Sequence, residues 1–303
     1  EVLTRLYELP QYLEVDPSIL LSLTFPLFFG FMLGDVGYGL VVMLGMIYLK
    51  KKIKDSKQLL NVLIYAAAAS ILFGFVFGEY FGFEHVSEGT GEAWCGSIGL
   101  CLHKETLDMH GESEVVYSFP RVIARTHDQV SVGGYDILTV LFLGVVIGAI
   151  HLNIGLLIGF YNVWRAHGIK HAVLEKASWI IFEAGLVMLV MSLTGMLGMS
   201  VFVGAVLMAL AVVMLYLGEG PKGVIEIPAL FSNMLSYMRL GAVGLASVGL
   251  AVVVNENLAK PFIEKGGFFI IIAIIIMIVG HVINIGLGVL GPFLHGVRLH
   301  YVE

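Results

Sequence analysis

Six long apolar runs, each bounded by polar or charged residues, constrain the fold of this chain most strongly. They cover residues 58–79, 137–162, 177–197, 199–217, 227–254 and 267–300. About 20 residues of helix cross the hydrocarbon core of a bilayer, so each run has roughly the length of a membrane-spanning helix. The composition agrees, because 13% of the residues are charged, whereas soluble domains carry about 25%. We therefore predict an all-α, polytopic membrane protein.

A further apolar segment, 18–49, is too long for one straight span. At about 1.5 Å per residue it would reach about 48 Å as a single helix, while the hydrocarbon core is about 30 Å thick. Its centre reads Gly34-Asp35-Val36-Gly37-Tyr38-Gly39, and glycines around an aspartate favour a turn over a helix interior. We predict two short spans, 18–33 and 37–49, folded as a hairpin. The total is then about eight transmembrane helices, of which the last two are long and tilted.

Charged residues are distributed unequally between the predicted loops. With eight spans, one side of the membrane receives a group of basic residues: Lys50, Lys51, Lys52, Lys54, Lys57, Arg165, Lys170, Lys176 and Lys222. The other side receives loop 80–136, in which acidic residues outnumber Lys and Arg. An excess of Lys and Arg is typical of cytoplasmic loops. Both chain ends are therefore predicted to be cytoplasmic, and loop 80–136 extracytoplasmic.

The spans divide the chain into five predicted segments. They are a cytoplasmic lead-in (1–17), the hairpin with the third span (18–79), the extracytoplasmic acidic loop (80–136), spans four to six (137–217) and the last two long helices (218–303). The sequence starts at Glu1 rather than Met and stops at Glu303 after an apolar run, so we expect a piece of a longer protein. Cys95 and Cys101 lie in the acidic loop, either as a disulfide or as two unlinked thiols.

Several classes of function are not predicted, because their motifs are missing from the sequence. There is no Walker loop, no His/Cys cluster at metal-ligand spacing and no nucleophile elbow, so we predict neither covalent catalysis nor a metal or other cofactor. The 17 Lys and Arg against 23 Asp and Glu form no basic patch for nucleic acid. Residues 1–17 are polar and acidic and do not resemble a signal peptide.

Two arginines, Arg239 and Arg298, lie inside otherwise apolar runs. A charged arginine at the centre of a membrane helix costs roughly 2.5–3.5 kcal/mol on insertion scales. Arg239, near the middle of its run, is either paired structurally with a carboxylate on a neighbouring helix or part of an ion path. Arg298 is either a residue that snorkels to the interface or, if its helix continues, a second arginine at depth. A guanidinium stays protonated in almost any environment, so both groups would supply a fixed positive charge.

Seven titratable or amide side chains are candidates for half-channels beside these arginines. They are Glu226, Asp35, Glu79, Glu183, His281, Asn284 and His295. Glu226 precedes Arg239 by 13 residues and so lies at the mouth of the same helix. Asp35 is either a turn-capping acid or a proton carrier. A single histidine in an apolar run, including His151, serves either as an interhelical hydrogen-bonding group or as part of an ion path.

The segments around these residues resemble signatures of one family. Ser236-Tyr237-Met238-Arg239-Leu240 is similar to the penultimate-helix signature of subunit a of rotary V-type ATPases, called subunit I in A-type ATP synthases. The end of the chain, from Gly291 to Glu303, resembles the last-helix signature Leu-His-x-x-Arg-Leu-His-aromatic-Val-Glu. Four further segments match the first hairpin and the next span in order: 14–17, 25–30, 34–39 and 77–82.

The resemblance implies roles for individual residues. Arg239 matches the essential arginine that faces the carboxylates of a rotating c-ring, and Arg298 matches a second arginine on the last helix. Glu226 corresponds to an acid on the cytoplasmic half-channel, and Asp35 to the hairpin aspartate of the family.

Two positions depart from the eukaryotic pattern, while Leu240-Gly241-Ala242 after Arg239 and Tyr301 in the last motif look like the prokaryotic branch. Ser247 stands where eukaryotic members carry His, and Gly288 where they carry Glu. The extracytoplasmic half-channel would then use other groups, with His281, Asn284 and Glu79 as candidates.

The expected function is that of a rotary-motor stator subunit in a prokaryotic plasma membrane. The expected partners are the c-ring, the central-stalk and peripheral-stalk subunits and membrane lipid, with no nucleic acid and no cofactor. The subunit would translocate H⁺ or Na⁺, while ATP chemistry occurs on partner subunits. The alternatives are a stand-alone proton-coupled transporter and a membrane-assembly scaffold with structural arginines.

Overall fold

The computed structural model describes residues 18–53, 56–87, 103–109, 112–195 and 200–301. The predicted lead-in 1–17, the Cys95–Cys101 pair and the terminal Glu303 lie outside these residues. The chain divides into two compact units. The first joins Ile19–Asp128 to the chain from Leu240 onward, and the second contains Gln129–Arg239.

Nine helices are present in the described residues. They are α1 (Ser18–Leu33), α2 (Val36–Lys52), α3 (Lys57–Phe77), α4 (Thr139–His167), α5 (Ile169–Leu193), α6 (Val201–Gly218), α7 (Pro221–Ile225), α8 (Ile227–Lys265) and α9 (Phe269–Tyr301). In this part of the chain six of them, α3, α4, α5, α6, α8 and α9, are long and apolar enough to cross a membrane, and α1 is a shorter apolar helix. The predicted class, an all-α polytopic membrane protein, is confirmed.

The predicted break within segment 18–49 lies at Gly34 and Asp35, between α1 and α2. Gly34 has a φ of 37°, in the left-handed region that glycine adopts without a Cβ penalty. Asp35 is the N-cap of α2, because its carboxylate accepts the backbone N–H of Tyr38 at 2.9 Å. Local turn chemistry therefore separates two helices of 16 and 17 residues.

Loop 80–136 contains β-strands, which the sequence prediction did not include. The strands β1 (His85–Ser87), β2 (His103–Met109) and β3 (Glu112–Ser118) form an antiparallel sheet in the order β1-β3-β2. The strands β4 (Gln129–Val132) and β5 (Tyr135–Leu138) form a hairpin. Its turn, Gly133-Gly134, has positive φ at both positions, as a two-residue hairpin connection requires.

Close helix packing in each unit depends on small residues. In the first unit, a Cβ built at Gly30 of α1 would lie 2.6 Å from the backbone carbon of Ala69 on α3. In the second unit, a Cβ at Gly204 of α6 would lie 2.7 Å from the backbone nitrogen of Leu189 on α5. Small residues let helices approach closely where lipid supplies no hydrophobic drive for association.

Candidate functional site

Arg239 lies directly after an interruption of α8. The α-helical pattern runs from Ile227 to Ser236 and resumes from Met238 to Val252. The Arg239 side chain is half-buried and donates through Nη2 to the hydroxyl of Ser236, one turn earlier. The guanidinium is therefore held against its own helix at the interruption.

Tyr237, the residue at the interruption, is completely buried. Its hydroxyl shares a hydrogen bond of 2.7 Å with Nδ1 of His151 on α4. This contact agrees with the hydrogen-bonding alternative for His151, but the sequence analysis assigned no role to Tyr237. The spacing Gly144-Gly148-His151, which places three residues on one helix face, was the available signal.

Arg298 lies exposed in the last turn of α9. On the same helix His300 has two hydrogen-bond partners: its Nδ1 lies 2.6 Å from the Gly296 carbonyl oxygen and its Nε2 lies 2.6 Å from the Thr24 hydroxyl of α1. His295 is half-buried on α9. The end of α9 is thus tied to α1 by His300, which was not among the predicted site residues.

A chain of uncharged polar groups connects α2, α8 and α9. Nδ2 of the buried Asn284 donates to the Tyr38 hydroxyl at 3.0 Å and to the Ser247 carbonyl at 2.9 Å. The Ser247 hydroxyl donates to Oδ1 of Asn284 at 3.2 Å. At the other end, the Tyr38 hydroxyl shares a 2.8 Å hydrogen bond with Nδ1 of His281. The structure thus joins two predicted candidates, His281 and Asn284, through a tyrosine that sequence reasoning missed.

A cavity of about 120 Å³ adjoins this polar chain. It is lined by Met32, Val243, Ala246, Ser247, Leu250, Asn284, Leu287, Gly288 and Pro292. A cavity needs only roughly 10–15 Å³ to hold one water molecule, so this one is large enough for water. Ser247 and Gly288 are the two positions that depart from the eukaryotic pattern, and their small side chains leave this space open.

Asp35 is buried and its carboxylate accepts three backbone N–H groups. Besides Tyr38, these belong to Phe81 at 3.0 Å and Gly82 at 2.8 Å. The turn-capping alternative for Asp35 therefore has direct geometric support, because the carboxylate fixes both the start of α2 and the segment after α3.

Glu79 and Arg125 form an ion pair in which both side chains are fully buried. Arg125 Nε donates to Glu79 Oε1 at 2.7 Å, and Nη2 also donates to the Gly34 carbonyl at 2.9 Å. Burial disfavours the charged form of the Glu79 carboxyl, and the neighbouring Arg125 guanidinium counteracts this effect. Sequence reasoning treated Arg125 as a loop charge and missed the pair.

Glu183 and Glu226 lie in the second unit. Glu183 is buried on α5 and accepts a hydrogen bond of 2.7 Å from Asn153 on α4. Glu226, at the start of α8, is exposed and lies 3.6 Å from the Lys222 ammonium. The two predicted acids therefore differ in environment, one buried with an amide partner and the other accessible.

A second cavity, of about 150 Å³, lies beside the segment after α3 and includes several polar side chains. It is lined by Gly82, Phe83, Glu84, His85, Thr126, His127, Val252, Asn255 and Glu256. Asn255 Nδ2 donates to the Phe81 carbonyl at 3.1 Å, while its buried Oδ1 has no hydrogen-bond partner among the described residues. The Phe81 ring lies 5.4 Å from the Tyr38 ring and 5.9 Å from the His281 ring. Phe81 thus contacts both Asn255, which lines this cavity, and two residues of the polar chain.

The chain is similar in sequence to several ATP synthase subunits, although no protein-family model matches it. The A-type ATP synthase subunit I of Archaeoglobus fulgidus is 36% identical over 345 residues, and that of Methanocaldococcus jannaschii is 32% identical over 330 residues. The V-type ATP synthase subunit I of Chlamydia pneumoniae is 25% identical over 341 residues.

These alignments cover 100% of this chain and 49%, 44% and 50% of the respective relatives. The chain therefore spans about half the length of the curated relatives that it matches. Its apolar helices and its motifs around Arg239 and Arg298 agree with this similarity. The protein belongs to the subunit I (subunit a) family of the A-type and V-type ATP synthases.

Proposed function

We propose that this chain is the ion-translocating membrane part of the stator of a rotary A/V-type ATP synthase. Its partners are the c-ring, the stalk subunits and membrane lipid, and ATP chemistry takes place on other subunits. The observation that carries the proposal is the chain Ser247–Asn284–Tyr38–His281 beside a cavity of about 120 Å³. Hydrogen-bonding side chains and a cavity large enough for water supply what a half-channel needs inside apolar helices.

In the proposed mechanism, a carboxylate of the c-ring crosses the lipid in neutral form, because a buried unpaired charge is costly. It then meets Arg239, whose fixed positive charge lowers the pKa of that carboxylate and favours release of its ion. After rotation the carboxylate reloads from the other half-channel. Arg239 also repels cations and so prevents a direct leak between the two half-channels.

The extracytoplasmic half-channel begins, in this proposal, at the cavity with Glu84, His85 and Asn255. It passes Phe81 to the polar chain. Support comes from the Asn255–Phe81 hydrogen bond and from the packing of the Phe81 ring on Tyr38 and His281. In this proposal Asp35 and Glu79 stabilise the structure around the half-channel and do not carry ions. Asp35 is buried in contacts with backbone N–H groups, and Glu79 is buried against Arg125.

The cytoplasmic half-channel uses Glu226, whose exposure leaves it accessible to water and ions. Arg298, Glu183 and His295 are further candidates along the two paths. The orientation follows the sequence prediction, with loop 80–136 outside the plasma membrane and both chain ends in the cytoplasm. The transported ion is H⁺ or Na⁺, as set by the carboxylate site of the c-subunit.

The test is Arg239→Ala in the assembled complex that contains the full-length subunit, reconstituted into vesicles. ATP-driven ion pumping should vanish while the complex still assembles. Arg239→Lys should fail as well, because a desolvated ammonium can lose its proton and lacks the planar fork of arginine. Arg165→Ala is the matched control, since Arg165 is exposed at the end of α4. Retained pumping by Arg239→Ala would refute the proposal, and loss of assembly would favour the scaffold alternative.

A further inference from the structure

We infer that Tyr237 and His151 form a latch that positions Arg239 for ion transfer. This inference rests on the proposed function and assigns positioning roles to two residues of the second unit. The latch is defined by Tyr237, the His151 imidazole and two glycines of α4: Gly148, which faces the Tyr237 side chain, and Gly144, which faces the Tyr237 backbone.

The backbone at Tyr237 needs an external support. The Tyr237 N–H donates to the Met234 carbonyl at 3.2 Å, an i to i−3 bond in place of the i to i−4 bond of a regular α-helix. Such tight turns inside a helix have poorer hydrogen-bond geometry and often mark functional hinges. Arg239 follows two residues later, so its position depends on how this turn is held.

The face of α4 opposite Tyr237 is shaped to receive it. A Cβ at Gly148 would lie 2.6 Å from the Cβ of Tyr237, and a Cβ at Gly144 would lie 2.9 Å from the Tyr237 carbonyl oxygen. Real Cβ atoms do not approach other atoms so closely, so any larger residue would displace the turn. The two glycines therefore allow α4 to contact the backbone at the interruption directly.

The hydrogen bond to His151 fixes Tyr237 against the face of α4 formed by Gly144 and Gly148. Positions 144, 148 and 151 follow the i, i+4, i+7 spacing of one helix face, so the imidazole lies one turn beyond the glycines. The Tyr237 side chain has no exposed surface, and the 2.7 Å distance to His151 is that of a well-formed hydrogen bond. A rotation of the Tyr237 ring away from this face of α4 would break the hydrogen bond.

The latch acts on Arg239 through a shared turn of helix. The Arg239 guanidinium donates to the hydroxyl of Ser236, the residue directly before Tyr237. Movement of Tyr237 would therefore shift both the Arg239 backbone and the hydroxyl that orients its side chain. A misplacement of about 1 Å at a reacting group can cost on the order of 100-fold in rate, so a partial loosening should be measurable.

The test measures ions pumped per ATP hydrolysed by the assembled complex in vesicles, because reduced folding or assembly lowers both rates but not their ratio. Tyr237→Phe keeps the ring and removes the hydroxyl, and His151→Leu removes the partner; each should lower the ratio about three- to tenfold, as expected for loss of one hydrogen bond.

His151→Asn, which retains a hydrogen-bonding group near the Nδ1 position, should restore the ratio to within about twofold. The double variant should be no worse than the single variants, because both remove one interaction. Tyr161→Phe on α4 is the control, since Tyr161 is exposed.

Wild-type ratios for both Tyr237→Phe and His151→Leu would overturn the latch, as would losses that multiply in the double variant. If neither variant assembles, the contact is required for folding and the positioning role is refuted. Arg239→Ala, measured alongside, separates the two hypotheses. Retained pumping by Arg239→Ala would refute the proposed function itself. Loss of pumping by Arg239→Ala, together with wild-type ratios for both Tyr237→Phe and His151→Leu, would refute the latch alone.

Discussion

Arg125 Nε donates to Glu79 Oε1 at 2.7 Å, and neither side chain of this ion pair has any exposed surface. The Arg125 guanidinium also lies 4.6 Å from the centroid of the Phe77 ring and donates to the Gly34 carbonyl. One arginine from loop 80–136 therefore donates hydrogen bonds both to the carboxylate that follows α3 and to a backbone carbonyl at the C-terminal end of α1. Removing either charge leaves the other buried without compensation.

We predict that Arg125→Leu and Glu79→Leu each destabilise the protein by about 3–5 kcal/mol, the usual cost of breaking a buried ion pair. The double change to two leucines should recover part of this loss, since it leaves no buried charge. The control is Lys222→Ala, which breaks an exposed pair with Glu226 and should cost less than about 1 kcal/mol. Unfolding of the purified subunit in mixed detergent measures the free energies. A loss below about 1 kcal/mol for both single variants would contradict the prediction.

The carboxylate of Asp35 is predicted to act as a cap. Asp35→Ala removes the acceptor of three buried N–H groups and should cost more than the roughly 0.5–2 kcal/mol of an ordinary N-cap. Asp35→Asn keeps Oδ1, which accepts from Tyr38 and Phe81, and should be less destabilising. Unfolding in detergent and ATP-driven pumping are measured on the same variants. Normal stability of Asp35→Asn with complete loss of pumping would instead support a proton carrier.

Filling the cavity beside Ser247 should slow ion transport. A Cβ at Gly288 would lie 2.8 Å from Leu33 Cδ1 and 3.8 Å from the Ser247 hydroxyl, so Gly288→Val directs two methyl groups toward this space. Gly286→Val is the matched control on α9, because a Cβ there would meet no described atom within 4 Å. We expect pumping per assembled complex to fall severalfold for Gly288→Val alone. Equal rates for the two variants would exclude the cavity from the path.

The glycine face of α4 permits a paired test of packing. Gly148→Ala brings a methyl group to 2.6 Å from the Tyr237 Cβ, whereas Gly155→Ala meets no described atom within 4 Å. Overpacking of a buried contact costs about 1–3 kcal/mol, so only the first variant should lose stability. Thermal unfolding of the two purified variants measures the difference. Unchanged or raised stability of Gly148→Ala would contradict the close contact with Tyr237, because Gly→Ala otherwise favours a helix.

Sequence patterns predicted the features that depend on local chemistry. Apolar run lengths revealed the membrane helices, and Gly34 with Asp35 predicted the break between α1 and α2, because turn residues act on their own backbone. The role of Arg125 was not predictable in this way. It lies in a polar loop, where a count of Lys and Arg treats it as a solvated charge, and only the folding of that loop buries it against Glu79.

The polar chain was predicted in part for a similar reason. His281 and Asn284 were recognisable as polar residues in an apolar run. Tyr38, in contrast, lies in the glycine-rich turn segment 34–39, where nothing in the sequence indicates a functional role. Its position between them depends on the packing of α2 against α9, which no local pattern encodes. The strands of loop 80–136 were missed because charged residues hide the alternation that marks a half-buried strand.

The brevity of α1 and α2 has a consequence for the surrounding bilayer. At 16 and 17 residues, helices rising about 1.5 Å per residue reach only about 24–26 Å, less than the roughly 30 Å of hydrocarbon in a typical membrane. Lipids compensate for such a mismatch by thinning locally. If the predicted hairpin crosses the bilayer and the proposed ion path runs beside it, an ion would cross a shorter apolar barrier there than elsewhere in the membrane. The polar groups of the protein would then have a shorter distance to bridge.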